Sequence, residues 1–108
     1  MKVVAVVSDL MLFSRIESAA RVAGAELARV DTPSDIPPDA DLVLVDWSVR
    51  DAGWTDGLRG LSGPRVILFG PHTDLDAHAA ARDAGLGPMW ARSKLLADLS
   101  SLMVTNRT

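Results

Sequence analysis

The chain has 108 residues, 48% of them hydrophobic, with 11 basic against 14 acidic residues and a net charge of −3. That length predicts one domain spanning 1–108, and the apolar content suffices for one packed core. The absence of cysteine excludes disulfides, thiol catalysis and cysteine-type zinc sites, and no basic stripe with interleaved aromatics points to nucleic acid.

The first strand is expected over 2–7, Lys-Val-Val-Ala-Val-Val, which is rich in β-branched residues. This apolar run is too short for a signal peptide or a membrane span, so a soluble cytoplasmic protein is the default expectation. A helix over 10–23 follows from Leu12, Ile16, Ala19, Ala20 and Ala23 at helical spacing, with Gly24 as its stop. Residues 25–30 form a weaker strand. The stretch from Asp31 to Asp39 contains Pro33, Pro37 and Pro38, which oppose a full helix and predict a turn or loop.

Residues 42–46, Leu-Val-Leu-Val-Asp, read as a strand buried on both faces that runs straight into a carboxylate. In open α/β sheets ligands bind beyond the carboxyl ends of the strands, which places Asp46 at the functional edge. A carboxylate there can coordinate a cation, act as a nucleophile or cap the next helix. The glycine-rich stretch 47–63 leaves room for one short helix around Thr55–Leu61. Arg65–Phe69 is another buried strand, ended by Gly70-Pro71. Leu75–Ala84 is a helix with Thr73 or Asp74 as N-cap and Gly85 as its end. Pro88–Arg92 is a short strand. Ser93 is the expected cap of a last helix whose apolar face is Leu95, Leu96, Leu99, Leu102 and Met103. The tail Thr105–Thr108 is expected to fray. Alternating strands and helices of this kind predict a parallel sheet with helices on both faces.

Together these residues resemble the receiver domain of bacterial two-component response regulators, over residues 2 to about 103. Ser8-Asp9 ends the first strand. Leu-Val-Leu-Val-Asp46 stands where receivers carry their phosphoacceptor aspartate. Arg-Val-Ile-Leu-Phe-Gly70-Pro71 stands where a strand ends in a hydroxyl residue, and Ala84-Gly85, a short strand and Arg92-Ser93 lead to the position of a Lys-Pro pair. The resemblance implies a flavodoxin- or receiver-like fold, a three-layer α/β structure with an open five-stranded parallel sheet. Its second helix is reduced to a loop.

The departures from the pattern carry the functional expectation. Ser8 replaces one of two acidic residues, Gly70 lacks the hydroxyl, Arg92 replaces the lysine, Ser93 replaces the proline after it, and the switch aromatic falls on Met89. By resemblance, Asp46 is the candidate phosphoacceptor. Asp9, Asp46 and the backbone carbonyl of Ser48 are the candidates for a weak magnesium site, with Ser8, Gly70 and Arg92 completing the pocket. The preferred expectation is that Arg92 pairs permanently with Asp46 or Asp9 and neutralises the pocket without metal. The chain is then a pseudo-receiver, not an enzyme, acting on other signalling proteins through residues 73–92, without nucleic acid or membrane. The apolar last helix leaves room for a homodimer. Two alternatives stand beside it: a live receiver phosphorylated on Asp46 with magnesium, and a domain binding a small anion or nucleotide at the loops around Ser8, Ser48 and Gly70–His72.

Other residues have plainer readings. His72 and His78 lack a third partner at metal-ligand spacing, Asp74 and Asp76 suit helix capping, and Ser14 and Ser18 belong to no hydrolase motif. No glycine-rich phosphate loop is present. Trp90 is expected in the core. Trp47 and Trp54 either patch a core that has lost helices or form a partner surface.

Overall fold

The computed structural model describes residues 1–104; the predicted fraying of Thr105–Thr108 lies outside the described residues. In chain order it contains β1 (Lys2–Val6), α1 (Leu10–Ala23), β2 (Glu26–Val30), β3 (Leu42–Asp46), α2 (Trp54–Arg59), β4 (Arg65–Gly70), α3 (Leu75–Asp83), β5 (Trp90–Ala91) and α4 (Arg92–Leu102). The five strands form one parallel sheet in the order β2-β1-β3-β4-β5. Among the described residues, no helix is long and apolar enough to cross a membrane.

Strand periodicity divides the core into two layers. Val3, Ala5, Leu42, Leu44, Ile67 and Phe69 point to one face, which α1 covers with Leu12, Ile16 and Ala20 and α4 covers with Leu95, Leu99 and Met103. The apolar side of α4, which left room for a homodimer, is thus used against the sheet. Each of the valine, leucine, isoleucine, phenylalanine and methionine side chains, fully buried, contributes roughly 1.5–3 kcal/mol. Val4, Val6, Val43, Val45 and Leu68 point to the other face. There the stretch between β2 and β3 forms no full helix, as its prolines predict; a 3-10 turn at Pro33–Asp35 lies there, with Ile36 and Ala40 in the core. The short α2 packs onto that turn so closely that a Cβ at Gly57 would sit 3.2 Å from the Cβ of Pro33.

Trp47 and Trp54 fill the rest of this second layer, at 1% and 7% exposure. The indole N–H of Trp47 donates to the Ala77 carbonyl at 3.0 Å, which ties the end of β3 to α3. These two rings therefore patch the face whose helices are short or absent. Trp90 departs from its expected core position. It is half-buried at the sheet edge, with Lys94 Nζ 4.6 Å and the Arg65 guanidinium 6.0 Å from its ring centre.

Element ends follow local chemistry. Asp9 caps α1, and Gly24 ends it in the left-handed region at φ 71°, where a side chain is strained. Asp74, not Thr73, caps α3 by accepting from the Ala77 N–H at 3.1 Å. Two expectations fail at the last strand. β5 comprises Trp90 and Ala91 alone, because backbone bonds from Leu86 and Gly87 to the Ala81 carbonyl hold the preceding chain against α3. Ser93 does not cap α4. The helix starts directly after β5, so the cap position falls on Ala91, which has no side chain to offer, and Ser93 lies exposed in the first turn.

Candidate functional site

Four chain segments meet at the carboxyl edge of the sheet. Asp46 is the last residue of β3, beside Phe69 of β4, and is buried at 2% exposure. Its Oδ1 accepts the Ser48 hydroxyl at 2.6 Å and the Ser48 N–H at 3.2 Å, capping a 3-10 turn over Trp47–Val49. Its Oδ2 faces Arg92, whose Nη2 lies 3.7 Å away. Asp9 Oδ1 accepts from the backbone of Met11 at 3.0 Å and Leu12 at 3.1 Å, and Asp9 Oδ2 faces Arg92 Nη1 at 3.6 Å. A buried charge needs partners; here Asp46 has two hydrogen bonds on one oxygen and a cation opposite the other.

The Arg92 guanidinium therefore stands between the two carboxylates. Both separations are too long for hydrogen bonds, so the attraction is Coulombic and, with Arg92 39% exposed, modest. Its position is set by the fold: Arg92 opens α4 immediately after β5, the strand that flanks β4.

Gly70 ends β4 in the same cluster. A Cβ there would lie 3.2 Å from the Met89 sulfur, 3.4 Å from its methyl carbon and 3.5 Å from Ser48 Cβ. The volume that a hydroxyl-bearing side chain would take at this position is filled by a thioether. Met89 is buried at 5% exposure, so the filling is part of the core. Ser8 is exposed at the end of β1 and makes no side-chain hydrogen bond among the described residues. His72 is exposed, and its carbonyl pairs with His78 Nε2 at 3.1 Å.

As they stand, these residues do not fit a magnesium ion. Magnesium wants an octahedron of oxygens. Here one oxygen of each carboxylate is engaged by N–H or O–H donors, and the other faces a guanidinium that stays protonated. Among the described residues no group of three or more acidic or histidine side chains is arranged to hold a metal. A divalent cation would have to displace Arg92.

A cavity of about 260 Å³ opens beside the cluster, between the ends of β1 and β2 and the loop after β3. It lies at the carboxyl edge of the sheet, the usual ligand side of such folds. Its lining includes Ser8, Val30, Val49 and Trp54 together with the carboxylates Asp31 and Asp51, and no basic side chain. That lining is unfavourable for a phosphate or another anion.

Several contacts were not read from the sequence. The capping role of Asp9 was legible, since an aspartate directly precedes an apolar-periodic run. The bond from Ser48 to Asp46 has the spacing of an aspartate turn, two residues on. Met89 over Gly70 and Trp47 on Ala77 join residues 19 and 30 positions apart, and no local pattern announces them.

No protein-family model matches the chain, and no curated protein sequence matches it. Solved structures do. A response regulator from Hahella chejuensis superposes with a TM-score of 0.71 at 12% identity, covering 94% of this chain and 91% of that one. A response regulator receiver domain protein from Clostridium thermocellum gives 0.67 at 18% identity, covering 94% and 90%. A response regulator receiver protein from Burkholderia phymatum gives 0.65 at 18% identity, covering 99% and 98%. The chain has the receiver fold.

Proposed function

We propose that the chain is a signalling module of the receiver type that works through contacts with other proteins, without phosphorylation of Asp46. The observation that carries this reading is the surroundings of Asp46: Oδ1 accepts two hydrogen bonds from Ser48, and Oδ2 faces the Arg92 guanidinium at 3.7 Å. Phosphoryl transfer to a carboxylate requires an oxygen free to attack in line, a cation on the phosphoryl oxygens and further donors around them. Ser48 and Arg92 oppose the first requirement, Arg92 the second, and Gly70 under Met89 the third. Loss of one such donor costs about 2.7–4 kcal/mol of transition-state stabilisation in other enzymes.

A second reading is favoured by the reach of Arg92. A phosphoryl group on Asp46 adds about −1.5 to −2 charges, and a guanidinium beside it can bind two of its oxygens. On that reading Arg92 swings from carboxylate to phosphoryl group. The anion-binding alternative has less support: of the loops it names only Ser8 lines the neighbouring cavity, which also carries Asp31 and Asp51 and no basic side chain. By analogy with the fold, residues 73–92 are one surface for a partner.

The test is incubation with acetyl phosphate and magnesium, followed by intact-mass measurement. The expected result is an unmodified chain under conditions that fully phosphorylate an active receiver. A phosphoryl adduct that disappears in Asp46→Asn and alters partner binding would establish the second reading instead.

A further inference from the structure

The cavity of about 260 Å³ at the ends of β1 and β2 adjoins a cleft of about 320 Å³ between the 3-10 turn at Pro33–Asp35 and the start of α2. Asp31, Asp51 and Trp54 belong to both linings, so the two form one crevice. Its inner part is apolar: Val6 and Val7 are buried at 1% and 2% exposure, and Val30 and Val49 stand beside them. Its outer part adds only small side chains, among them Ala52 and Gly53. Neither lining contains a basic residue.

Folding does not account for the rim of this crevice. Val49 belongs to the same 3-10 turn as the buried Trp47, yet it is 49% exposed. The Asp46 cap holds that turn in place, so Val49 is presented rigidly. Among the described residues the Asp51 carboxylate has no ion pair and accepts no hydrogen bond. Arg50, next to it in the chain, is engaged elsewhere: it donates to the Trp47 carbonyl at 3.1 Å and lies over the Trp47 ring at 5.4 Å. Asp31 is partly satisfied, since its Oδ1 accepts from Arg29 at 3.2 Å, while its Oδ2 accepts no hydrogen bond among the described residues.

The charge and the volume together select the occupant. Two carboxylates without a basic neighbour in the lining favour a cation. A volume of 260 Å³ falls below the roughly 300–1,000 Å³ of small-molecule pockets, and it suits a single long side chain. An arginine meets both conditions: its stem lies on apolar surface, and its weakly hydrated, planar guanidinium stacks on aromatic rings and forks onto carboxylates. We propose that the crevice receives an arginine from an extended basic segment of a partner protein. The stem lies against Val30 and Val49, the guanidinium takes Asp51 and the open oxygen of Asp31, and the segment's backbone passes over Ala52 and Gly53. The inference rests on the reading of the chain as a protein-interaction module, and it places a contact at residues 6–8, 30–34 and 49–57, apart from 73–92.

The probe is a short peptide of threonine and glycine with a central arginine and a lysine at each end, titrated into the isotope-labelled protein and followed by amide chemical shifts. Saturable shifts at 6–8, 30–34 and 49–57 are expected, weakening as salt rises. Asp51→Asn reduces affinity by about three- to five-fold, the scale of one solvated ion pair. Asp31→Asn reduces it by less, because Arg29 already holds one oxygen, and Asp76→Asn, which removes the same charge from α3, leaves it unchanged. Citrulline in place of the central arginine weakens binding at least as much as Asp51→Asn. The proposal is overturned if no saturable shifts appear at millimolar concentration, if they fall only on 73–92, if the citrulline peptide binds equally well, or if Asp51→Asn and Asp76→Asn act alike. Equal affinity for N-acetylarginine amide would overturn the docking of a segment and make the crevice a small-ligand site. Adding magnesium and beryllofluoride to the same sample examines the parent reading separately: a response at Asp46 would remove that reading, whereas a silent Asp46 with no peptide binding would remove the crevice alone.

Discussion

Asp46 is held by contacts of unequal strength. The Ser48 hydroxyl bond is short at 2.6 Å, its N–H bond is 3.2 Å and both are partly buried, whereas the pairing with Arg92 is longer and partly solvated. Asp46→Asn keeps an acceptor for Ser48 and exchanges the charge facing the half-exposed Arg92 for an amide NH2, so its loss of stability should stay near ~1 kcal/mol. Asp46→Ala leaves both Ser48 donors without their partner and should cost about 1–3 kcal/mol. Urea denaturation of the two variants separates these outcomes, and equal losses would mean that charge, not hydrogen bonding, fixes the side chain. Gly70 and Met89 form the other local unit. Gly70→Ser should destabilise by about 1–3 kcal/mol, because the new Cβ meets the thioether at 3.2 Å. The cost should be largely absent in a Met89→Ala background, although Met89→Ala itself costs about 2–5 kcal/mol. A double-mutant cycle with additive effects would contradict the proposed plug.

Elements were legible where a residue at their boundary does a local job. The limits of α1 and β3 match their sequence patterns because Asp9 and Gly24 bracket the helix and Asp46 both ends the strand and caps the turn after it. The capping role of Asp9 is separable from its charge. Asp9→Asn preserves an N-cap and should leave thermal stability nearly unchanged, while Asp9→Ala should lose about 0.5–2 kcal/mol. Equal losses in thermal melts would show that the contact with Arg92 is the larger effect. The start of α4 was not legible, because the absence of any linker after β5 is a property of the whole sheet and leaves no cap signal in Arg92-Ser93. The length of β5 was obscured in the same way by the bonds of Leu86 and Gly87 to the end of α3. The candidate site was legible as a set of residues at strand ends. Pairing of Arg92 with Asp46 or Asp9 is the preferred expectation from the resemblance, but that it stands between both carboxylates arises from elements far apart in the chain.

At the scale of the molecule, the chain has the receiver fold with one sheet face covered by short elements. A 3-10 turn after β2 and the six-residue α2 lie there, and Trp47 and Trp54 fill the layer beside them. These two rings should therefore resist quenching, whereas the half-buried Trp90, beside Arg65 and Lys94, should be quenched better by iodide than by caesium. Equal quenching by the two ions would argue against that cationic setting. The same rings make the closed pocket observable, since Trp47 adjoins Asp46 and its indole is anchored on α3. The most direct measurement is a tryptophan-fluorescence titration with magnesium and then beryllofluoride, in the parent chain and in Asp46→Ala. With Arg92 between the carboxylates and Met89 over Gly70, no saturable change is expected in either protein. A saturable, magnesium-dependent change that vanishes in Asp46→Ala would contradict the closed pocket and make the chain a working phosphorylation switch.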